Sequence, residues 1–161
     1  MQDIFTDKNT LIIAPTVKQS AELSKTLLSK GADVFMFTLP SEDENVFKDV
    51  VSLFGDIRNK NSIEIALKAS EPEIIVYFLQ NNPNKNTAEL FETNIMGTVN
   101  LLELSQSLES LSKIVILFDD NENDAIYKAS KDAAIIVAKT YENILKDREI
   151  SLEFEELKSP Q

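Results

Sequence analysis

Short apolar runs alternate with longer amphipathic stretches along the 161 residues of the chain. The apolar runs have the length and near-continuous hydrophobicity of strands that are buried on both faces. They predict six strands, at residues 10–14, 33–39, 50–54, 73–79, 113–118 and 150–154. The amphipathic stretches predict helices at residues 18–30, 61–69, 87–108 and 124–146, and Gly31 is expected to end the first of them.

This alternation of strands and helices predicts the fold class. Apolar strands joined through helices form a parallel sheet that is covered on both faces. Right-handed crossovers then give a doubly wound, Rossmann-like α/β fold in three layers, of the kind that binds NAD(P). We expect a single domain over residues 1–157 and a frayed tail over residues 158–161.

The two long helices carry more apolar surface than packing on one sheet requires. Helix 87–108 has one apolar stripe through Phe91 and Ile95 and another through Leu101 and Leu104, and helix 124–146 is apolar all round over residues 133–138. A helix with two apolar faces is buried twice. The sequence therefore favours a homodimer formed through helices 87–108 and 124–146. The alternative is a covering element within the same chain.

Charge and composition exclude several classes of function. The net charge of −11 disfavours binding to nucleic acids and to membrane surfaces. The absence of cysteine and histidine excludes disulfides, thiol catalysis, Ser-His-Asp chemistry and most transition-metal sites. The acidic clusters lack the spacing of a calcium loop, so we predict no metal site. No apolar run is long enough to span a membrane, and the polar N-terminus is unlike a signal peptide, which predicts a cytoplasmic protein.

Four segments carry a resemblance to a known family: GDIR at 55–58, PEIIV at 72–76, FETNIMGTVNLLE at 91–103 and YKASK at 127–131. In this order and spacing they resemble extended short-chain dehydrogenases of the NAD-dependent epimerase/dehydratase family, and most closely the CDP-glucose 4,6-dehydratase group. The resemblance covers residues 10–155. It implies a Rossmann domain followed by a smaller sugar-binding domain, which we expect to be absent here. Members bind NAD, transfer a hydride to and from nucleotide-linked sugars, and dimerise through their two long helices.

The resemblance also implies a catalytic pair, Tyr127 and Lys131. The tyrosine is the family's general acid or base, and the lysine lowers its pKa and holds the ribose hydroxyls. Their i, i+4 spacing puts both side chains on one helix face. The Ser or Thr that the family places at the end of the fifth strand is missing, since residues 117–120 read LFDD.

The acidic residues around this point have two interpretations. Asp119 matches an acidic position that the dehydratases use, whereas Asp120 stands where they tend to carry lysine. The other interpretation is a solvated acidic loop that also contains Glu122, with Asn123 or Asp124 capping the next helix. The sequence favours the solvated loop.

The cofactor loop departs most from the family pattern. The family has three glycines after the first strand, and Ala14, Val17 and Ser20 stand at the matching positions. A valine resists positive φ, and its branched side chain is expected to occupy the space of the pyrophosphate. Thr16 and Ser20 are expected to place hydroxyls near the start of the helix, so weak anion binding is an alternative.

Asp56 and Ile57 form the best-kept cofactor element, because in relatives the matching residues meet the adenine ring. Two interpretations are therefore open. These residues recognise an adenine or another base, or they form a simple turn at the end of the strand. The loop at residues 80–86 is polar and shorter than its counterpart in the family, where it lies against the cofactor.

These features favour a pseudoenzyme: a Rossmann domain that binds no cofactor and acts as a dimeric scaffold or regulatory module, linked to nucleotide-sugar or surface-polysaccharide metabolism. One alternative is an active NAD-dependent dehydratase or epimerase that uses Tyr127 and Lys131. The other is a module that binds a nucleotide or nucleotide sugar without NAD. An open crevice that receives Tyr127 and Lys131 would favour the active enzyme.

Overall fold

The computed structural model of the chain describes residues 4–14, 17–40, 49–81, 86–120 and 123–157, and no side chain between 15 and 19. Thr16, Glu122 and the tail at 158–161 lie outside the described residues, as does the side chain of Val17. The effect of Val17 on a pyrophosphate therefore stays a prediction.

Six parallel strands form one sheet in the order β3-β2-β1-β4-β5-β6. They are β1 (Asn9–Ile13), β2 (Asp33–Thr38), β3 (Val51–Phe54), β4 (Ile74–Phe78), β5 (Lys113–Asp119) and β6 (Ser151–Leu157). The chain moves outward from β1 to β3, crosses back to β4 on the other side of β1, and continues to β6. This is the doubly wound Rossmann order, so the predicted fold class is confirmed.

The helices are α1 (Val17–Ser29), α2 (Lys60–Ser70), α3 (Thr87–Phe91), α4 (Gly97–Ser105), α5 (Ala125–Lys139) and α6 (Glu142–Asp147). A π-helical turn at Glu92–Met96 joins α3 to α4. Gly31 follows α1 with a φ of 83°. Its amide donates to the carbonyl of Leu28 over 3.0 Å, so glycine ends this helix as the sequence predicted.

The predicted helix 124–146 is wrong, because α5 and α6 are separate helices. The amide and the hydroxyl of Thr140 both donate to the carbonyl of Val137, at 3.0 and 2.7 Å, and this closes α5 with a tight turn. Tyr141 lies between the two helices, and its hydroxyl donates to the carboxylate of Glu103 at 2.7 Å. The predicted helix 87–108 ends earlier, at Ser105, and its continuity depends on the π turn.

The two faces of the sheet are covered differently. On one face α2, α4, α5 and α6 enclose the larger core, which includes Ile75, Leu101, Leu102, Ile114 and Ile116. On the other face the described covering residues belong to α1 and the segment before β1, and they pack over Ile12, Met36 and Val76. Within the described parts of the chain, no helix has the length and apolar character needed to cross a membrane.

Candidate functional site

A crevice lies at the carboxyl ends of the strands, beside β1 and β4, where the strand order reverses. Ligands of doubly wound sheets bind at this point. The lining residues come from the ends of β1 to β4 and from the π turn: Ile13, Ala14, Phe37, Thr38, Leu39, Gly55, Asp56, Ile57, Tyr77, Phe78, Gln80 and Thr93. The described residues leave a volume of about 30 Å³ between them, whereas ligand pockets measure about 300–1,000 Å³.

Asn94 fixes the wall of the crevice that follows β4. This fully buried side chain lies in the π turn, accepts from the amide of Gln80 at 2.7 Å and donates to the carbonyl of Gln80 at 2.9 Å. It also donates to the hydroxyl of Ser130 in α5 at 3.0 Å. One amide group thus ties the end of β4 to two helices. The sequence interpretation did not name Asn94 as a site residue, although a polar side chain in the apolar run at 91–103 was a signal.

Two glycines allow close packing beside the crevice. A Cβ on Gly97 would lie 2.9 Å from Cγ1 of Ile57 and 3.3 Å from the hydroxyl of Tyr77. A Cβ on Gly55 would lie 2.8 Å from the ring of Phe37. Since real Cβ contacts are longer, both positions need glycine for the approach of their neighbours. These glycines serve packing inside the protein, at a distance from the loop where the family binds pyrophosphate.

The carboxylate of Asp56 is occupied by Arg58. It accepts from the main-chain amide of Arg58 at 2.9 Å and from the guanidinium at 3.1, 3.0 and 2.6 Å. Such a two-pronged contact is among the stronger ion pairs. Ile57 is buried, and its carbonyl accepts from the side chain of Asn100 at 3.2 Å. The structure brings Asp56 and Ile57 to the crevice, where both already have partners.

Tyr127 and Lys131 lie together on α5, as their spacing predicted, but they are enclosed. Tyr127 is 0% exposed and Lys131 is 6% exposed. The hydroxyl of Tyr127 accepts from the main-chain amide of Asp119 at 3.2 Å. The ammonium of Lys131 lies 5.4 Å from the ring centre of Phe118 and 6.0 Å from that of Tyr127, in cation–π contact.

Burial raises the pKa of Tyr127 well above its ordinary value, and the negative charge of Asp119 raises it further. A tyrosine that exchanges a proton at neutral pH needs a lowered pKa, because efficient acid–base catalysis requires a pKa near the working pH. The electrostatic environment of Tyr127 therefore acts against the role that the resemblance implies.

The loop after β5 agrees only in part with the prediction of a solvated acidic loop. Asp124 caps α5 by accepting from the amide of Tyr127 at 3.0 Å, so the predicted capping is confirmed. Asp119 differs, because it is the last residue of β5 and is half-buried. Its carboxylate accepts from the side chain of Asn81 at 3.3 Å. Among the described residues, no cluster of carboxylates has the arrangement of a metal site.

The described part of the cofactor loop offers little to a pyrophosphate. Ser20 is fully buried in α1 and has a partner of its own. Ala14 follows β1 where the family has its first glycine, and all three glycines of the chain lie elsewhere. Asp56, at the position where the family meets adenine, is paired here with Arg58.

The sheet order and the crevice define a Rossmann-like domain of the short-chain dehydrogenase type. Residues 21–118, more than half of the chain, match the NAD-dependent epimerase/dehydratase family. The chain belongs to this family. Comparison with curated proteins gives no significant match.

Several solved structures share the fold of this chain. BdcA from E. coli aligns with a TM-score of 0.76 and 18% identity over 97% of this chain and 86% of its own. An epimerase from Methanothermobacter thermautotrophicus aligns with a TM-score of 0.73 and 15% identity over 93% and 51%. Bordetella bronchiseptica WbmG, solved with NAD and UDP, aligns with a TM-score of 0.69 and 14% identity over 84% and 50%. The chain thus spans about half the length of the last two proteins.

Proposed function

We propose that this chain is a non-catalytic member of the NAD-dependent epimerase/dehydratase family that acts as a homodimeric scaffold or regulatory module. The observation that carries the proposal is the enclosure of Tyr127. Its hydroxyl is bound to the amide of Asp119 inside the protein, and its raised pKa opposes proton transfer at neutral pH. No serine or threonine stands at the end of β5 to polarise a substrate.

The proposed loss of NAD binding follows from the crevice. A dinucleotide needs space near the ends of β1 and β4, where the enclosed volume is about 30 Å³. Opening it for adenine would also require Asp56 to exchange its contact with Arg58 for a base. A charge-assisted bidentate contact resists that exchange. A link to nucleotide-sugar or surface-polysaccharide metabolism, and a cytoplasmic location, are part of the proposal through family membership.

The proposed dimer uses the outer surface of α5 and the π turn. Ile126, Ala129, Ala133 and Ile136 follow one another at helical spacing on α5 and are exposed or half-exposed. Ile136 is 66% exposed, and Met96 of the neighbouring π turn is 46% exposed. An apolar stripe on a helix whose opposite face already packs on the sheet favours a protein partner. Because α5 ends at Lys139, the proposed interface is shorter than helix 124–146 would provide.

Two measurements on the purified chain test the proposal. Isothermal titration with NAD, ADP and UDP- or CDP-sugars should give no saturable binding at micromolar to low-millimolar concentration. Saturable NAD binding, or NADH formation from NAD and a nucleotide sugar that disappears in Tyr127→Phe, would overturn the non-catalytic assignment. Binding of a nucleotide or nucleotide sugar without NAD would favour the binding-module alternative.

Light scattering tests the dimer separately. The chain should have the mass of two copies, and Ile136→Asp should reduce it to one copy because a buried carboxylate opposes association. Ile65→Asp on α2 is the matched control, since Ile65 is 68% exposed but lies away from the α5 stripe. A monomer in the unchanged chain, or equal effects of the two variants, would contradict the proposed interface.

A further inference from the structure

The hydroxyl of Tyr127 makes both of its hydrogen bonds with one residue, Asp119. Its oxygen accepts from the main-chain amide of Asp119 at 3.2 Å. Burial is the main cause of the raised pKa of Tyr127, and the charge and a side-chain hydrogen bond of Asp119 raise it further. A hydrogen bond that raises the pKa of a phenol is one that the neutral hydroxyl donates. The carboxylate of Asp119 therefore accepts the single proton that this hydroxyl can donate.

This contact is enclosed by its surroundings. The side chain of Tyr127 is fully buried on α5, whereas Asp119 is half-buried at the end of β5. The ammonium of Lys131 lies over the rings of Phe118 and Tyr127, 5.4 and 6.0 Å from their centres. A ligand that is to accept the proton of Tyr127 must therefore displace the carboxylate of Asp119.

The carboxylate of Asp119 is held in place by Asn81. The side-chain amide of Asn81 donates to its two oxygens at 3.4 and 3.3 Å. Hydrogen bonds of this kind usually measure about 2.9–3.0 Å. The bonds between Asn94 and Gln80, one residue earlier in the chain, are shorter, at 2.7 and 2.9 Å. The crevice wall at Gln80 is thus firmly held, and the contact between Asn81 and Asp119 is the weaker link.

We propose that Asp119 is an autoinhibitory positioning residue: it occupies the hydroxyl of Tyr127 in place of a ligand, and Asn81 holds its carboxylate there. This inference rests on the proposed function, in which Tyr127 exchanges no proton with a ligand, and it names the contact that prevents the exchange. Because the anchoring contact is weak, removal of the Asp119 charge or of the Asn81 side chain should release the hydroxyl without disturbing the wall at Gln80.

The test follows the ionisation of Tyr127 alone. Tyr77→Phe and Tyr141→Phe leave Tyr127 as the single tyrosine of a chain that contains no tryptophan. In this parent variant, tyrosinate absorbance measures the pKa of Tyr127, and circular dichroism of the same samples shows whether the chain is folded. Quenching of the tyrosine fluorescence by acrylamide measures how far the ring is open to solvent.

Asp119→Asn removes the charge and keeps the size of the side chain. It should lower the pKa of Tyr127 by about one unit or more, because the like charge is lost and the proton acceptor is weakened. It should also increase quenching by acrylamide. Asp119→Glu keeps the charge and should leave the pKa raised. Asp120→Asn makes the same change in net charge one residue later and should shift the pKa of Tyr127 by less than about 0.3 unit.

Asn81→Ala leaves the net charge unchanged and should increase quenching as well. If Asp119→Asn does not fold, quenching of Asn81→Ala equal to that of the parent variant would overturn the proposal. Equal pKa shifts in Asp119→Asn and Asp120→Asn would mean a response to net charge alone and would also overturn it. NAD titration is a separate result, because saturable binding by the unchanged chain contradicts the proposed function, whereas an unaltered Tyr127 in Asp119→Asn contradicts the autoinhibitory contact.

Discussion

Asn94 shows how one side chain holds the site together. Its amide meets both main-chain groups of Gln80 and the hydroxyl of Ser130, all of them buried. A buried main-chain group that loses its partner costs more free energy than an ordinary hydrogen bond contributes. The main chain at Gln80, just after β4, is therefore held in place by Asn94.

Asn94→Ala should lower the free energy of unfolding by about 3 kcal/mol, because it removes the buried hydrogen bonds that Asn94 makes to the amide and the carbonyl of Gln80. Urea denaturation followed by circular dichroism measures this loss. Asn143→Ala is the control, since Asn143 is exposed on α6 and should change stability by less than about 0.5 kcal/mol. Similar losses in the two variants would mean that the bonds of Asn94 are exchanged readily for water.

The resemblance predicted which residues lie at the crevice, but it did not predict their contacts. Asp56 and Ile57 do lie at the crevice, yet sequence gave no sign that Arg58 turns back onto the Asp56 carboxylate. The same holds for Tyr127, because i, i+4 spacing places a side chain on a helix face without saying what covers that face. Burial depends on how α5 packs against the end of β5, which is a property of the tertiary structure.

At the scale of elements, the π turn at Glu92–Met96 is the feature that pattern analysis did not find. Its wider turn keeps α3 and α4 nearly continuous, so the apolar spacing of the sequence still looks helical. The turn directs Thr93 and Asn94 inward together, and both are buried. π-helical turns occur often at functional sites. Here the turn lines the crevice and brings Gly97 against Ile57.

Gly97→Ala should destabilise the chain by up to about 2 kcal/mol. Alanine favours a helix by about 1 kcal/mol over glycine, but its Cβ would meet Ile57 at 2.9 Å, and overpacking costs about 1–3 kcal/mol. The double variant with Ile57→Ala separates the two effects. With the isoleucine branches removed, Gly97→Ala should become neutral or stabilising in urea denaturation. If Gly97→Ala costs as much stability in the Ile57→Ala variant, the cost arises from the helix backbone and not from contact with Ile57.

The fold class and nearly all element positions followed from hydrophobic periodicity, because apolar strands and helical stripes are local signals. The division into α5 and α6 did not follow. The apolar pattern of residues 133–138 does not indicate that a helix is about to end. The end of α5 depends instead on the hydroxyl of Thr140 and on the hydrogen bond from Tyr141 to Glu103. A hydroxyl that bonds to the preceding turn leaves no mark on the apolar pattern.

At the scale of the whole molecule, the two cores differ in how they are closed. The core beneath α2, α4 and α5 contains most of the large fully buried side chains, including Leu101, Leu102, Ile114 and Ile116. The core beneath α1 borders an apolar groove of about 620 Å³ that is lined by Val76, Val115 and Leu117. The described residues thus cover the two faces of the sheet unequally.

The three tyrosines of the chain make its stability sensitive to alkaline pH. Burial raises the pKa of Tyr77 to about 12, although the hydroxyl of Thr98 opposes the shift. Burial and the bond to Glu103 raise the pKa of Tyr141 to about 12. The pKa of Tyr127 is raised further. Each folded value exceeds the unfolded value of about 10, so the folded state holds its phenolic protons more tightly.

The stabilisation from these protons is complete below about pH 10 and is lost as pH rises through the folded pKa values. Between about pH 10 and 12 the free energy of unfolding should fall by up to about 1.4 kcal/mol per pH unit for each of the buried Tyr77 and Tyr127, and by less for Tyr141, because solvent screens its interaction with Glu103. Urea denaturation at stepped pH measures the slope. Tyr141→Phe should reduce the slope by less than one third, while Lys68→Gln on α2 should leave the slope unchanged. Tyrosinate absorbance that appears near pH 10 in the folded chain would contradict the expected burial, because it would mean that water reaches all three hydroxyls without unfolding.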